Sequence, residues 1–543
     1  MTVGDDVVAA MADAGIDTAF GIPGKQTLPL NEAMAANDVR YVVARHETAV
    51  SHQAWGYAET TGRPAATVVI PGPGDLNAAN GLKNALNDCT PLLHVAVETA
   101  PEVRGGDGIH ETPPEVYDEL VKANYTVESP ASAAATVTEA VQEATTHPKG
   151  PVRVGIPKTF LGQVVESANP GEPDSSGPKQ PSRESLDRAS DLLGDAARPA
   201  ILAGGGVRAS GASEQLRTIA EHLNAPVVTT YKGKGTLAED HPLSAGVLCG
   251  GTSPDVAAVL EDADALLAVG TDFDAVTTGE WQYDLPDDLV HITYHATDIG
   301  TGYDPAVGIL ADAGATLRAL HESMPGGDGA GESRAQEARA ADSARFEALT
   351  DERDDLLTSV EALRAVREAV PREATVTADA GGFRIWALVS FPVYDARRYV
   401  NPGSWATMGT GLPSAIGAKT AAPDREVVAL TGDGGLMMCL HELHTLAAED
   451  LDVTVVVFRN QDYAIISEEA TRSYGLDEMA YGWNDAPIDF VALAESMGVE
   501  GYSAATLDAV TDTVIEARAS NGPALVEVAT DPTEPQASEW MRR

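Results

Sequence analysis

Between Gly432 and Tyr463 the chain sets out oxygen donors of the kind that a phosphate-bound Mg²⁺ takes. Gly432-Asp433-Gly434 opens the stretch and Asn460-Gln461-Asp462-Tyr463 closes it. The Asp433 carboxylate, the Asn460 amide oxygen and a nearby backbone carbonyl are hard ligands. Glycine on either side of Asp433 lets the backbone turn tightly and approach a phosphate. Asp-Gly between apolar strands is also the commonest hairpin signal, so the same residues can be read as a bare turn. A second candidate is Glu47, in Val42-Val-Ala-Arg-His-Glu-Thr-Ala49, where an apolar strand runs into a helix. A carboxyl there could take part in proton transfer, or be a surface group favoured by the helix dipole.

Particular elements must position these groups. The 25 residues from Gly435 to Arg459 suffice for one helix and one strand. That would return Asn460 to Asp433 at the carboxyl edge of a parallel sheet, where open α/β folds bind ligands. Short apolar strands recur between helical patterns: Ala66–Ile70, Pro199–Ala203, Ala265–Val269, Val427–Leu430 and Val453–Phe458. Such alternation predicts an α/β fold with parallel sheets covered by helices on both faces. Two composition shifts divide the 543 residues. Ser167–Ser182 is rich in Pro, Gly, Ser and acid and reads as an exposed linker. Pro325 to about Ala341 passes from glycine into a charged helical pattern. Three doubly wound parallel-sheet domains follow, over 1–166, 183–324 and 345–543.

Composition narrows the partners. The formal charge is −46, with acids scattered along the chain rather than gathered in a tail. Scattered acid suits a surface kept soluble in high salt and repels nucleic acid and anionic membranes. The three cysteines, Cys89, Cys249 and Cys439, are far apart and form neither a disulfide framework nor a metal motif. The first residues lack a basic region followed by an apolar one, and no apolar run approaches the ~18 residues needed to span a bilayer. The expected location is cytoplasmic.

Further motifs join Glu47 in the first domain: Phe20-Gly-Ile-Pro-Gly24 and Pro71-Gly-Pro-Gly-Asp-Leu-Asn77, each a tight turn after a strand. Taken in order with Arg45-His46-Glu47 and Gly432-Asp433-Gly434…Asn460, they resemble the thiamine diphosphate-dependent enzymes, and among them the acetolactate synthase branch. Asn401-Pro-Gly-Ser-Trp-Ala-Thr-Met-Gly-Thr-Gly-Leu-Pro413 and Asp240-His-Pro-Leu243 extend the likeness over nearly the whole chain.

The resemblance implies thiamine diphosphate and Mg²⁺ as cofactors. Glu47 would be the catalytic carboxyl beside the cofactor's aminopyrimidine. Asp433, Asn460 and the carbonyl of Asp462 would hold the metal. Pro23, Gly24, Gly74, Asn77, Gly381, Gly382, Met408, Gly409, Gly432, Gly434, Gly435 and Tyr463 would contact the cofactor, with Met408 propping its bent shape. Met408 could equally be ordinary core. Glu47 and the metal motif would meet only across a subunit interface, implying a homodimer or homotetramer.

Departures from the branch bear on the substrate. Lys25 replaces a small residue and could bind a substrate carboxylate or be merely solvated. His110 replaces a glutamine and could orient a carbonyl, shuttle a proton, or be a plain loop residue. Ile466 lies in the segment that would choose the acceptor, which lacks the branch's tryptophan. Asp272 and Val276 stand where two arginines are expected, which puts FAD in doubt. The expected activity is decarboxylation of a 2-oxo acid and carboligation. The alternatives are a simple 2-oxo acid decarboxylase, a 2-hydroxyacyl lyase, or a cofactor-binding regulatory paralogue. A nicotinamide-dependent enzyme is disfavoured, because Gly204-Gly-Gly-Val-Arg-Ala-Ser-Gly211 lacks the G-x-G-x-x-G spacing.

Overall fold

The computed structural model describes residues 1–106, 108–166, 177–353, 357–476 and 481–543. Among these residues the chain builds three six-stranded sheets, and every pairing between the named strands is parallel. The first sheet contains β1 (Thr18–Gly21), β2 (Arg40–Val43), β3 (Ala65–Val69), β4 (Leu92–Glu98), β5 (Ala123–Thr126) and β6 (Pro151–Pro157), in the order 2-1-3-4-6-5. The middle sheet contains β7 (Pro199–Ala203), β8 (Val227–Thr230), β9 (Ser244–Leu248), β10 (Ala265–Val269), β11 (Leu289–Thr293) and β12 (Val307–Leu310), in the order 12-11-10-7-8-9. The third contains β13 (Thr375–Ala378), β14 (Tyr399–Val400), β15 (Val427–Gly432), β16 (Thr454–Arg459), β17 (Glu500–Ala504) and β18 (Ala524–Ala529), in the order 14-13-15-16-18-17. The first and third orders are the same permutation. The central strands β3, β4, β7, β10 and β13 are buried along their whole length. That is why their apolar runs do not alternate with polar residues.

Register levels the strand ends that matter. Gly21 of β1 pairs with Val43 of β2 and with Val68 of β3, so the turns after all three open at one edge. Gly432 pairs with Phe458, which sets Asp433 level with the residues just after β16.

The helix Glu47–Thr61 is buried at twelve consecutive positions from Ala49 to Thr60. It lies between the first sheet and the helix Gly411–Ala421, so it is apolar or small on most faces. The close crossing depends on two glycines. A Cβ on Gly56 would lie 2.3 Å from the Ser414 carbonyl, and one on Gly417 would lie 1.9 Å from that of Gln53. One continuous core therefore joins the first and third domains, from Phe20 and Trp55 to Leu412 and Val457.

Two details differ from the sequence reading. The stretch 435–459 holds not one helix but two short ones, Asp433–Met437 and Leu443–Ala448, separated by a tight 3₁₀ turn at Leu440–Glu442. Cys439 leaves helical geometry (φ −140°, ψ 15°), and the turn carries Glu442 into the interior. The helix Gly331–Asp351 joins two cores: Ala335 and Ala338 pack with the middle domain, Phe346 and Leu349 with the third. Residues 167–176 of the expected linker lie outside the described residues. No described helix is long and apolar enough to cross a membrane.

Candidate active site

At the carboxyl edge of the third sheet, a cavity of about 160 Å³ is lined by Gly381, Gly382, Met408, Gly432, Asp433, Gly434, Gly435, Asn460, Asp462, Tyr463, Ile465 and Ile466. Of the third-domain residues singled out from sequence, only Gly409 is not among the lining. It lies just behind, in the left-handed region (φ +82°), and donates its N–H to Asp379 Oδ1 at 2.9 Å.

Asp433 begins a helix directly after β15 and is buried. Its Oδ1 accepts from Gly434 N (2.8 Å), and its Oδ2 accepts from Asn460 N (3.0 Å) and Gln461 N (2.6 Å). Burial pushes its carboxyl up to about 6, against the pull of those donors. Asn460 Oδ1 accepts from Asp462 N at 3.1 Å. Among the described residues no three His, Cys, Asp or Glu side chains converge as a metal centre. The cavity wall holds instead the Asp433 carboxyl, the Asn460 amide and Asp462. Hard oxygens beside a buried carboxyl fit a phosphate-bound divalent cation. Gly434 keeps the cavity open, since a Cβ there would meet the Tyr463 ring at 2.8 Å and the Met408 methyl at 3.3 Å.

The first-domain residues gather at a different edge. Glu47 is the first residue of its helix, and its Oε2 accepts from Asn77 Nδ2 at 3.0 Å. A Cβ on Gly74 would lie 3.2 Å from Glu47 Oε1 and 2.8 Å from Ile70, and one on Gly24 would strike Ile70 at 2.2 Å. The Pro23-Gly24 turn, the Gly72-Pro73-Gly74 turn and Glu47 thus share one corner. His110, in the left-handed region (φ +63°), lays its backbone over Gly72, where a Cβ would be 2.6 Å from its carbonyl oxygen. Lys25 is exposed beside Gly24. Among the described residues, none before Ser359 lines the third-domain cavity. The candidate residues therefore fall into two separate groups, each a candidate half-site: Pro23, Gly24, Lys25, Glu47, Gly74, Asn77 and His110 in one, and the glycines, oxygen donors, Met408, Tyr463 and Ile466 in the other.

Asp379 was missed in the sequence. It is buried beneath the cavity, accepting from Ala380 N (2.7 Å), Gly409 N, Thr410 N (3.2 Å) and Thr431 Oγ1 (3.0 Å). Burial pushes its carboxyl up. It ties the Gly381 turn to the Met408 segment. Its position one residue beyond an apolar strand and before Gly381-Gly382 was the available signal.

A second recess, of about 260 Å³, lies at the carboxyl edge of the middle sheet, where all three domains meet. Asp272, Asp274 and Asp298 line it, and desolvation together with repulsion from Asp274 pushes Asp272 up to about 6. Among the lining cations, Arg208 and Lys232 are paired with Glu59 and Asp88, while Lys149 and Arg397 bring further positive charge to the same recess. Val276 is exposed and not among the lining. The recess mixes these carboxylates with basic side chains and does not by itself mark a flavin site.

Three family descriptions match the chain in succession. They are the thiamine pyrophosphate enzyme N-terminal TPP-binding domain over residues 1–119, the central domain over 186–320, and the C-terminal TPP-binding domain over 379–528. The chain is 31% identical to a probable acetolactate synthase large subunit of Methanocaldococcus jannaschii, an alignment spanning 97% of this chain and 92% of that protein. It is 32% identical to the acetolactate synthase large subunit of Parasynechococcus marenigrum, over 95% of this chain and 87% of the relative. It is also 31% identical to a probable 2-ketoarginine decarboxylase of Pseudomonas aeruginosa, over 97% and 94%. With all three domains matched in order, and the fold and cavity they require in place, the chain belongs to the thiamine pyrophosphate enzyme family.

Proposed function

We propose that this protein is a thiamine diphosphate- and Mg²⁺-dependent enzyme that decarboxylates a 2-oxo acid and joins the remaining acyl unit to a second carbonyl compound, as an acetolactate synthase does. The observation that carries this reading is the convergence of Asp433, Asn460, Asp462 and the glycines 381, 382, 434 and 435 on one cavity. Asp433, Asn460 and the Asp462 carbonyl would hold the cation. Gly434 and Gly435 would turn their N–H groups to phosphate, and Met408 and Tyr463 would pack the cofactor's body. When bound, the cofactor's thiazolium supplies an electron sink for the carbanion left by loss of CO₂. Glu47 would hold a proton at its carboxyl and exchange it with the aminopyrimidine. Ile465 and Ile466 would exclude water from the reacting carbonyl.

The working unit on this reading is at least a homodimer. Two observations support it: the half-sites are separate within one chain, and both carry exposed apolar side chains. Leu28, Leu76 and Ile109 belong to the first domain, Ile465 and Ile466 line the third-domain cavity, and Tyr474 ends the helix that carries them. The domain limits 1–166, 183–324 and 345–543 and a cytoplasmic location are part of the same proposal.

A decarboxylase without carboligation is the second reading. It is favoured by the kinship with a probable 2-ketoarginine decarboxylase and by the exposed Ile465-Ile466 pair, which offers an acceptor no polar anchor. Assay with pyruvate, scoring CO₂ against acetolactate and acetaldehyde, separates the two. Lack of turnover of every 2-oxo acid tried would overturn both. Glu47→Gln is expected to leave cofactor affinity largely intact while abolishing H/D exchange at the cofactor's C2. Persistent exchange would remove Glu47 from its assigned role.

A further inference from the structure

Glu442 is fully buried in the third domain, yet it grips the first domain immediately before Glu47. Its Oε1 accepts from the backbone N–H groups of Arg45 (2.8 Å) and His46 (3.1 Å). Its Oε2 accepts from Gln53 Nε2 (2.9 Å), on the helix that Glu47 begins, and from Thr445 Oγ1 (2.6 Å). Neighbouring groups pull the same way. Val43 N donates to Glu449 Oε1 (3.2 Å), and Arg45 Nε donates to His444 Nδ1 (2.9 Å). His46 is the helix N-cap, and its Nδ1 accepts from Thr48 N at 3.2 Å. The end of β2 and the first turns of the helix are therefore held from another domain.

Glu47 needs that hold. Among the described residues its carboxyl accepts one hydrogen bond, from Asn77, at an exposed site. Its direction is consequently set mainly by the backbone that carries it. Three first-domain donors on two buried oxygens hold that segment, through the backbone at residues 45 and 46 and the side chain of Gln53, which leaves the helix start little freedom to rotate or slide.

We propose that Glu442 is a positioning residue for catalysis, holding the start of the Glu47 helix so that the Glu47 carboxyl keeps the orientation its proton transfer needs. The inference rests on Glu47 having the role assigned above. A misplacement of ~1 Å at a reacting group lowers turnover by about 10²-fold, so the clamp matters without touching cofactor or substrate. The structure also distinguishes between replacements. Gln53 Oε1 is buried with no partner among the described residues. A glutamine at 442 can keep its oxygen toward Arg45 and His46 and offer its NH₂ to Gln53 after that amide flips. Aspartate keeps the charge but is too short to reach both sides.

The test uses the full-length holoenzyme and the variants Glu442→Gln, Glu442→Asp and Glu442→Ala, with Glu47→Gln as control. The readouts are kcat and KM for pyruvate, H/D exchange at C2 of the bound cofactor, cofactor affinity by tryptophan fluorescence, and melting temperature. Glu442→Gln should stay close to the parent. The Asp and Ala variants should lose about 10²-fold in kcat and in exchange rate together, with KM and cofactor affinity little changed. Parental exchange in a folded Asp or Ala variant overturns the proposal. So does loss of exchange only in step with loss of cofactor binding, or failure of both variants to fold, since each marks a purely structural role. If Glu47→Gln still exchanges, the underlying assignment falls. If it does not, and the Glu442 variants exchange normally, only the positioning role falls.

Discussion

On the proposed reading, Asp433 and Gly434 are two adjacent residues that divide the work of a phosphate site. Asp433 is a buried carboxyl held by three backbone donors, so its geometry is set before any cation arrives. Asp433→Asn should weaken Mg²⁺-dependent cofactor binding by at least about tenfold, since one charge-assisted ligand is lost, with little change in melting temperature. Titration of the apoprotein with thiamine diphosphate at fixed Mg²⁺ reads this directly, and unchanged affinity would remove Asp433 from the metal site. Gly434→Ala should be worse for binding than for folding, because its methyl would fill the gap between Tyr463 and Met408. A third residue acts away from the site. His52 is wholly buried, neither ring nitrogen has a partner among the described residues, and burial pushes its pKa down to about 4. Its unfolded-state pKa is ~6.5, so the unfolded chain binds the proton first as pH falls. The stability is therefore complete above about pH 6.5 and declines toward pH 4, by at most about 3 kcal/mol. His52→Leu should flatten the fall in melting temperature across that window. An unaltered pH profile would mean that His52 is not the titrating group.

At the scale of elements, the packing of the Glu47–Thr61 helix against Gly411–Ala421 decides whether the two cofactor domains share a core. Gly417→Val would push side-chain atoms into the Gln53 carbonyl and the Tyr57 amide. Overpacking of this kind destabilises by roughly 1–3 kcal/mol, so a lower melting temperature is expected, with exposure of the Trp55 region read by fluorescence. The strands here were legible in the sequence because parallel strands buried on both faces are short apolar runs. Pro199–Ala203 and Ala265–Val269 agree with the structure residue for residue. The return of Asn460 to Asp433 was legible for the same reason: two buried strands fixed the two ends. The break between them was not. The 3₁₀ turn at Leu440–Glu442 exists because Glu442 reaches Arg45 and His46, almost 400 positions away, and no local pattern carries that partner. Asp379 escaped notice on similar grounds, since its donors Gly409, Thr410 and Thr431 come from two other segments. What periodicity encodes is which face is buried. Which polar group is satisfied by which distant backbone is decided only once the sheets assemble.

The molecule as a whole carries a formal charge of −46, and that sets the conditions under which its halves can meet. Self-repulsion of this size opposes both compactness and association of two like-charged chains. The pairs that join the domains are mostly buried: Glu59 with Arg208 and Lys232, and Asp88 with Lys232. Salt screens such pairs little. The surplus carboxylates at the surface are exposed to solvent, and their repulsion fades as the Debye length contracts from about 10 Å at 0.1 M salt to about 3 Å at 1 M. The two effects do not cancel, because the attractive pairs are sheltered while the repulsive ones are not. Raising KCl from ~0.1 M to molar levels should therefore increase the melting temperature and move the population toward the dimer, and with it the activity, since each centre would draw Glu47 from one chain and Asp433 from the other. Thermal unfolding and sedimentation across a KCl series, run in parallel with turnover, check this. The three should rise together. A melting temperature that falls with salt would mean that exposed ion pairs outweigh the net repulsion. Activity that rises while the oligomeric state stays constant would place the salt effect inside a preformed site.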